Sequence, residues 1–140
     1  MAKTVLKLSN EDDYDFILVG LVCQNRDYRL CHELNTLLNL EMTKMEDYTV
    51  FSNKRMEDHA FSFYEYQNED GDRYNLISNK CKKGALLPEQ KVLDYVFMIR
   101  PDKIRIDENE LVKKLKKSSI ILGVYRLDVL KLKSKDNLLF

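Results

Sequence analysis

An α+β fold is the class that this sequence predicts, and three stretches of the chain support the prediction. The run FILVGLVC, residues 16–23, is apolar throughout, as expected of a strand in the middle of a sheet. Leucines recur at helical spacing within NRDYRLCHELNTLLNL, residues 25–40, which indicates an amphipathic helix. Two aromatic-rich alternating runs lie on either side of Asp70-Gly71, a pattern typical of a β-hairpin.

The remaining strands are predicted from the same kinds of pattern. A short strand is expected at TVLKL, residues 4–8, ahead of an acidic turn, and another within MTKMEDYTVF, residues 42–51. Pro88 disfavours a helix at the residue before it and suits an extended lead into the buried strand LDYVFMIR, residues 93–100. SIILGVYRLD, residues 119–128, is expected to be the last core strand.

Capping residues mark the beginnings of both predicted helices. Asn25 or Asp27 can cap the first helix, because the side-chain oxygen of either residue can accept hydrogen bonds from unpaired backbone amides at the helix start. Asp107 is the predicted N-cap of the second helix, and Glu110 follows three residues later, as in a capping box with Asp in place of Ser or Thr. The second helix is therefore the best-specified element of the chain.

Two parts of the chain resemble each other. YDFILVG and LDYVFMI each place an acid and an aromatic residue before an apolar run, and each run is followed by a predicted helix and strand. Two strand–helix–strand units joined by the aromatic hairpin predict a ferredoxin-like arrangement, with an antiparallel-rich sheet and both helices on one face. The first strands of the units would then be parallel neighbours, with Asp15 and Asp94 at the same end. Chance similarity of two short strands is the alternative.

The carboxylates Asp15, Glu89 and Asp94 are the candidate catalytic residues. Paired carboxylates can act as acid and base or bind a metal. The alternative, which we favour, is that each aspartate accepts backbone N–H groups where its strand begins. No histidine or phosphate-binding loop accompanies these residues, so the sequence indicates no complete catalytic site, and we expect no cofactor and no metal site.

The candidate partner-binding residues are aromatic or apolar. Tyr64 and Tyr66 share one face of a predicted strand, and tyrosine is enriched at protein interfaces. Leu138, Leu139 and Phe140 form an apolar tail that should pack either on its own domain or on another subunit. We therefore expect a protein partner, or a second copy in a homodimer.

Bulk composition limits the classes of function. A length of 140 residues predicts a single domain spanning 1–140. The 23 basic and 23 acidic side chains cancel, which disfavours general nucleic-acid binding, although a lysine-rich face on the second helix keeps RNA as a weaker alternative. The longest apolar run is too short to cross a bilayer as a helix, no signal peptide is evident, and three cysteines without C-x-x-C spacing fit a reduced, cytoplasmic protein.

The segment LPEQKVLDY, residues 87–95, resembles the signature of the IPExxxVDY family of small bacterial proteins. Pro88, Glu89, Asp94 and Tyr95 match that signature, with leucine in place of its Ile and Val. The resemblance extends to DFILVGL, DYRLCHELN and LKSKDNLLF, and so covers nearly the whole chain. It implies a bacterial, cytoplasmic protein and supplies no catalytic residue or cofactor.

These observations together predict a non-enzymatic protein-binding or self-associating module. A small-ligand-binding protein or an enzyme that uses the carboxylates is the alternative, and the sequence identifies no small-molecule ligand.

Overall fold

The computed structural model of the chain describes residues 14–52, 54–102 and 106–140. Its regular elements are β1 (Ile17–Val22), α1 (Asp27–Leu38), β2 (Thr43–Lys44), β3 (Tyr48–Ser52), β4 (Glu57–Phe61), β5 (Phe63–Gln67), β6 (Arg73–Ser78), β7 (Tyr95–Arg100), α2 (Glu108–Lys116) and β8 (Gly123–Arg126). Single 3-10 turns occur at Pro88–Gln90, Val129–Lys131 and Lys135–Leu138. The strand predicted at residues 4–8 lies outside the described residues.

The six-stranded sheet has the order β2-β5-β6-β7-β1-β8, and β3 and β4 form a separate two-stranded ribbon. All of these strand pairs are antiparallel. The α+β class is therefore confirmed, and so is the predicted hairpin, because β5 and β6 flank Asp70 and Gly71. Gly71 has a φ of 91°, a left-handed conformation that glycine adopts without steric cost.

The ferredoxin-like prediction differs from the structure at its central pair of strands. β1 and β7 are neighbours, as expected, but Ile17 pairs with Ile99 and Leu21 with Tyr95, so the strands run antiparallel. The expected parallel pairing is wrong, because an acid and an aromatic residue before an apolar run are compatible with either strand direction. As a result, Asp15 and Asp94 lie at opposite ends of the two strands.

Both helices pack on one face of the sheet, as predicted. Leu30 and Leu34 of α1 and Leu111 and Leu115 of α2 are buried against inward-facing strand residues such as Phe97. Successive strand residues point to opposite faces, and each face of β1 and β7 is covered. This explains why both strands consist almost entirely of apolar residues.

The second face of the sheet is covered by chain segments other than α1 and α2. The β3–β4 ribbon contributes Phe61, the segment between β6 and β7 contributes Leu86 and Leu87, and the chain after β8 contributes Val129 and Leu138. These side chains bury the alternate positions of the central strands. The chain segments without regular structure are therefore part of the core.

The helix starts agree only in part with the predicted caps. The N-cap of α1 is Arg26, not Asn25 or Asp27, and Asp27 accepts instead from the adjacent Tyr28 amide in the first turn. Asp107 is the N-cap of α2 as predicted, and its Oδ1 accepts from the amides of Asn109 and Glu110 at 2.9 and 3.4 Å.

Strand boundaries also differ from the predicted runs. The single strand predicted at residues 42–51 is replaced by two strands, β2 and β3, and the last strand is limited to Gly123–Arg126. Leu87 is non-helical, as expected before a proline, but Pro88 begins a 3-10 turn and does not continue as extended chain. Proline is well suited to the first position of a helical turn, because it has no N–H to leave unpaired.

Candidate functional site

The three predicted carboxylates do not form one site. Asp15 is exposed at the beginning of β1, whereas Asp94 precedes β7 at the other end of this strand pair. Glu89 lies in the 3-10 turn Pro88–Gln90 and contacts the chain after β8. The proposed acid–base or metal cluster therefore has no geometric support from these residues.

Asp94 joins the ends of two strands. Its Oδ2 accepts from the backbone amide of Cys23, just after β1, at 2.9 Å, and its Oδ1 lies 2.9 Å from Nζ of Lys80. The predicted role of an aspartate that accepts a backbone amide is thus observed at Asp94, although the amide belongs to the neighbouring strand.

Glu89 binds a segment that is distant in sequence. Its two carboxylate oxygens accept from the backbone amide and the hydroxyl of Ser134 at 2.9 and 2.6 Å. Partial burial raises the pKa of Glu89, but the hydrogen bonds from Ser134 outweigh this effect, so its pKa lies below the usual range for a glutamate. The carboxylate is a structural anchor for the chain after β8.

The other positions of LPEQKVLDY also hold the fold together. Leu87 and Leu93 are buried, and Leu93 packs so closely on Gly20 of β1 that a Cβ atom there would overlap with Leu93 Cδ1. The Tyr95 hydroxyl donates to the backbone oxygen of Asn25 at 2.7 Å. Burial is the main reason that the pKa of Tyr95 rises to about 12. The motif therefore connects β1, β7 and the C-terminal segment.

Sequence reasoning missed Asn79, which organises the loop between β6 and β7. This residue is fully buried, and its amide group donates to the backbone oxygens of Gln90 and Leu93 at 2.9 and 2.8 Å. Its side-chain oxygen accepts from the Leu87 amide at 2.8 Å. A lone asparagine at the end of a strand resembles an ordinary turn residue, so no local signal identifies it.

The two predicted tyrosines lie beneath the helices. Tyr64 is buried, and Tyr66 packs on the same core, with its ring stacked on Tyr74 at a centroid distance of 6.1 Å. Burial, followed by the nearby Asp27 carboxylate, raises the pKa of Tyr64. The prediction that these tyrosines share a face is correct, but this face belongs to the core and is not an exposed surface.

The apolar tail packs on its own chain, which is one of the two predicted outcomes. Leu138 is fully buried, and Leu139 and Phe140 pack on the same core. The guanidinium of Arg100 donates to the backbone oxygens of Leu138 and Phe140 at 3.0 and 3.1 Å and lies over the Phe140 ring. The three tail residues therefore make their packing contacts and hydrogen bonds within one copy of the protein.

An exposed apolar edge is present elsewhere, at β8. Among the described residues, β8 pairs with β1 alone and is the last strand of the six-stranded sheet. Leu122 is 62% exposed and Tyr125 is 51% exposed. We refer to residues 122–126 as the β8 edge.

A second surface is a cleft of about 300 Å³ between the β3–β4 ribbon and the loop that precedes β7. Its polar lining is dominated by five basic side chains, Lys54, Arg55, His59, Lys83 and Lys91. Sequence reasoning missed this cluster because its members come from separate parts of the chain. We refer to it as the basic cleft.

The described part of the chain contains no group of three or more histidine, cysteine or acidic side chains arranged to hold a metal ion. Cys31 is buried, and this burial raises the pKa of its thiol to about 11, while His32 beside it is exposed. The two side chains therefore do not form a nucleophile–base pair. No helix within the described ranges is long and apolar enough to span a bilayer.

No protein-family model and no curated protein matches the chain.

Proposed function

We propose that the chain is a non-enzymatic binding module that forms a homodimer by pairing its β8 edge with the β8 edge of a second copy. The observation that supports the proposal is that, within the described residues, β8 pairs with β1 alone, while Leu122 and Tyr125 expose apolar side chains at this edge. An open sheet edge with exposed apolar residues is a template for pairing with another strand.

The charges on β8 are compatible with a symmetric pairing of two β8 strands. In a twofold antiparallel pair centred on Val124, Val124 lies opposite Val124 of the second copy, Tyr125 lies opposite Gly123, and Arg126 lies opposite Leu122, because directly opposite residues point to the same face of the sheet. No like charges then face each other. Arg126 is also within 3.5 Å of Glu108 of its own chain, which reduces the charge at the edge.

A second copy fits this edge better than a strongly charged partner does. The formal net charge of the chain is zero, so two copies have no overall repulsion to overcome. A twofold pairing also places the same apolar side chains of both copies against each other, as is usual at interfaces of symmetric dimers.

Analytical ultracentrifugation over a wide range of concentrations tests the proposal. We expect a dimer for the unmodified chain, and at least a tenfold weaker association for Leu122→Glu and for Tyr125→Glu, because each change places a charge at the paired edge. Tyr28→Glu is the matched control, since Tyr28 is also exposed but lies on α1. A monomer at all concentrations, or equal weakening by the control, would contradict the proposal.

Membership in the IPExxxVDY family, with a bacterial origin and a cytoplasmic location, is proposed on the sequence signature. The structural roles of Leu87, Glu89, Leu93, Asp94 and Tyr95 support it, because a motif with these roles would mark a fold. A structure of an established member tests it: we expect the same contacts at the matching positions.

The two alternative functions have less support. The separation of Asp15, Glu89 and Asp94 leaves the carboxylate enzyme without a site. RNA binding needs basic and aromatic side chains on one face, but Tyr64 and Tyr66 are covered by the helices.

A further inference from the structure

The basic cleft concentrates positive charge that the fold does not neutralise. Within residues 14–52, 54–102 and 106–140, the side chains of Lys54, Arg55 and Lys91 form no ion pair, and all three residues are exposed. Two other basic side chains of the cleft lie near one carboxylate: Oε2 of Glu57 is 3.1 Å from Nζ of Lys83 and 3.8 Å from Nε2 of His59. Several cations held around one concave surface attract anions, because each field reinforces the others.

His59 adds a buried polar group to the same wall. Its Nε2 atom is buried and has no hydrogen-bond partner within the described residues, and Oε2 of Glu57 is 3.8 Å away, beyond hydrogen-bond distance. An unpaired buried polar atom costs free energy that a bound ligand can recover.

Gly84 brings the backbone against the His59 ring. A Cβ atom at Gly84 would lie 2.8 Å from Cε1 of His59, so a larger residue could not be placed there without moving the ring. Gly84 and the His59 ring therefore pack side by side in the lining of the cleft.

The cleft also has apolar lining. Val50, Phe51 and Phe61 line it together with the basic side chains, and Phe51 is 51% exposed. Its volume of about 300 Å³ is larger than a bare phosphate ion needs and lies at the lower limit for small-molecule sites.

We propose that the basic cleft binds a small phosphate monoester, with the phosphate near Arg55, Lys91 and His59 and the organic group against Phe51. Arginine and lysine are the usual cationic contacts of phosphate groups, and arginine can form two parallel hydrogen bonds to one phosphate. The proposal does not depend on pairing at the β8 edge.

Calorimetric titration with phenyl phosphate, inorganic phosphate and phenol is the test, on the unmodified full chain. We expect saturable binding of phenyl phosphate, weaker binding of inorganic phosphate, and none of phenol. The double variant Arg55→Ala/Lys91→Ala should weaken phenyl phosphate binding at least tenfold. The double variant Lys113→Ala/Lys114→Ala, which removes two exposed cations from α2, should leave it unchanged.

A second readout locates the ligand. The ring resonances of His59 should shift on addition of phenyl phosphate, whereas those of the exposed His32 should not, and His59→Gln should weaken binding while circular dichroism shows an intact fold. The proposal is overturned if no ligand binds saturably, if phenol binds as well as its phosphate, or if the α2 control variant weakens binding as much as the cleft variant.

Discussion

At the scale of single residues, the structure depends on Asn79, a buried polar side chain that both donates and accepts hydrogen bonds. Asn79 makes three side-chain hydrogen bonds to the backbone of the loop between β6 and β7. The backbone amide of Asn79 donates to the backbone oxygen of Asp94 at 2.9 Å. The backbone oxygen of Asn79 accepts from the backbone amide of Leu86 at 2.8 Å. Apart from the 3-10 turn at Pro88–Gln90, this loop contains no helix or strand, so Asn79 supplies backbone partners that regular structure would otherwise provide.

We expect Asn79→Asp to lower the free energy of unfolding by about 3 kcal/mol, because it removes both donors and leaves a buried charge beside two backbone oxygens. Denaturant-induced unfolding followed by circular dichroism measures this change. Asn25→Ala is the control, since Asn25 is exposed and is used through its backbone oxygen. Equal stability of Asn79→Asp and the unmodified chain would refute this role of Asn79.

At the scale of secondary-structure elements, local signals decide where α2 begins. Asp107 satisfies two of the amides that a helix leaves unpaired at its start, and Lys113, Lys114 and Lys116 place positive charge in the last turn. A helix of nine residues has little intrinsic stability in water. It persists because Leu111 and Leu115 are buried against the sheet.

Replacement of Asp107 by alanine should destabilise the protein by about 1 kcal/mol, the usual contribution of an N-cap. Asparagine at this position should retain most of the stability, because its side-chain oxygen can accept the same amides. Thermal unfolding compares both variants with Asp128→Ala, whose side chain is exposed and makes no cap hydrogen bond. A loss with Asp107→Asn as large as with alanine would show that charge, not capping, is responsible.

At the scale of the whole molecule, the chain after β8 ties together elements that are far apart in sequence. The Tyr14 hydroxyl donates to the Asp136 carboxylate at 2.5 Å, and the Tyr48 hydroxyl donates to the backbone oxygen of Asn137 at 2.6 Å. The backbone amide of Ser134 donates to the Glu89 carboxylate. Its apolar residues complete the core on the face without helices. This segment therefore has a structural role comparable to that of a helix.

The contribution of Glu89 should depend on pH. Its pKa is lowered in the folded state, so its hydrogen bonds stabilise the fold fully above the ordinary glutamate pKa, and this contribution is lost as the pH falls through the lower folded value. Glu89→Gln should therefore lower stability at about pH 7 and have a smaller effect at about pH 3. Because Glu89 is exposed, the effect should be small.

This dependence is measured by the unfolding midpoints of the variant and the unmodified chain at both pH values. Glu69→Gln is the control, because Glu69 is exposed in the turn of the β5–β6 hairpin. If the difference between Glu89→Gln and the unmodified chain were the same at both pH values, the ionised carboxylate would not be what anchors Ser134.

The sequence by itself determined the features that arise within a few residues of one another. The cap at Asp107, the leucine stripe of α1 and the turn at Gly71 depend on short-range periodicity and backbone preference, so local patterns were sufficient to predict them. Local patterns also predict that LPEQKVLDY defines the fold and that the apolar tail packs against protein, although they do not decide between its own domain and another subunit.

The tertiary structure alone decided the direction of β7 relative to β1, the burial of Tyr64 and the assembly of the basic cleft. In each case the outcome depends on contacts between segments that are distant in the chain. A strand can pair in either direction, and a tyrosine on a sheet can face solvent or a helix. The free energy that selects among these options comes from packing and hydrogen bonds that exist only once the whole chain is folded.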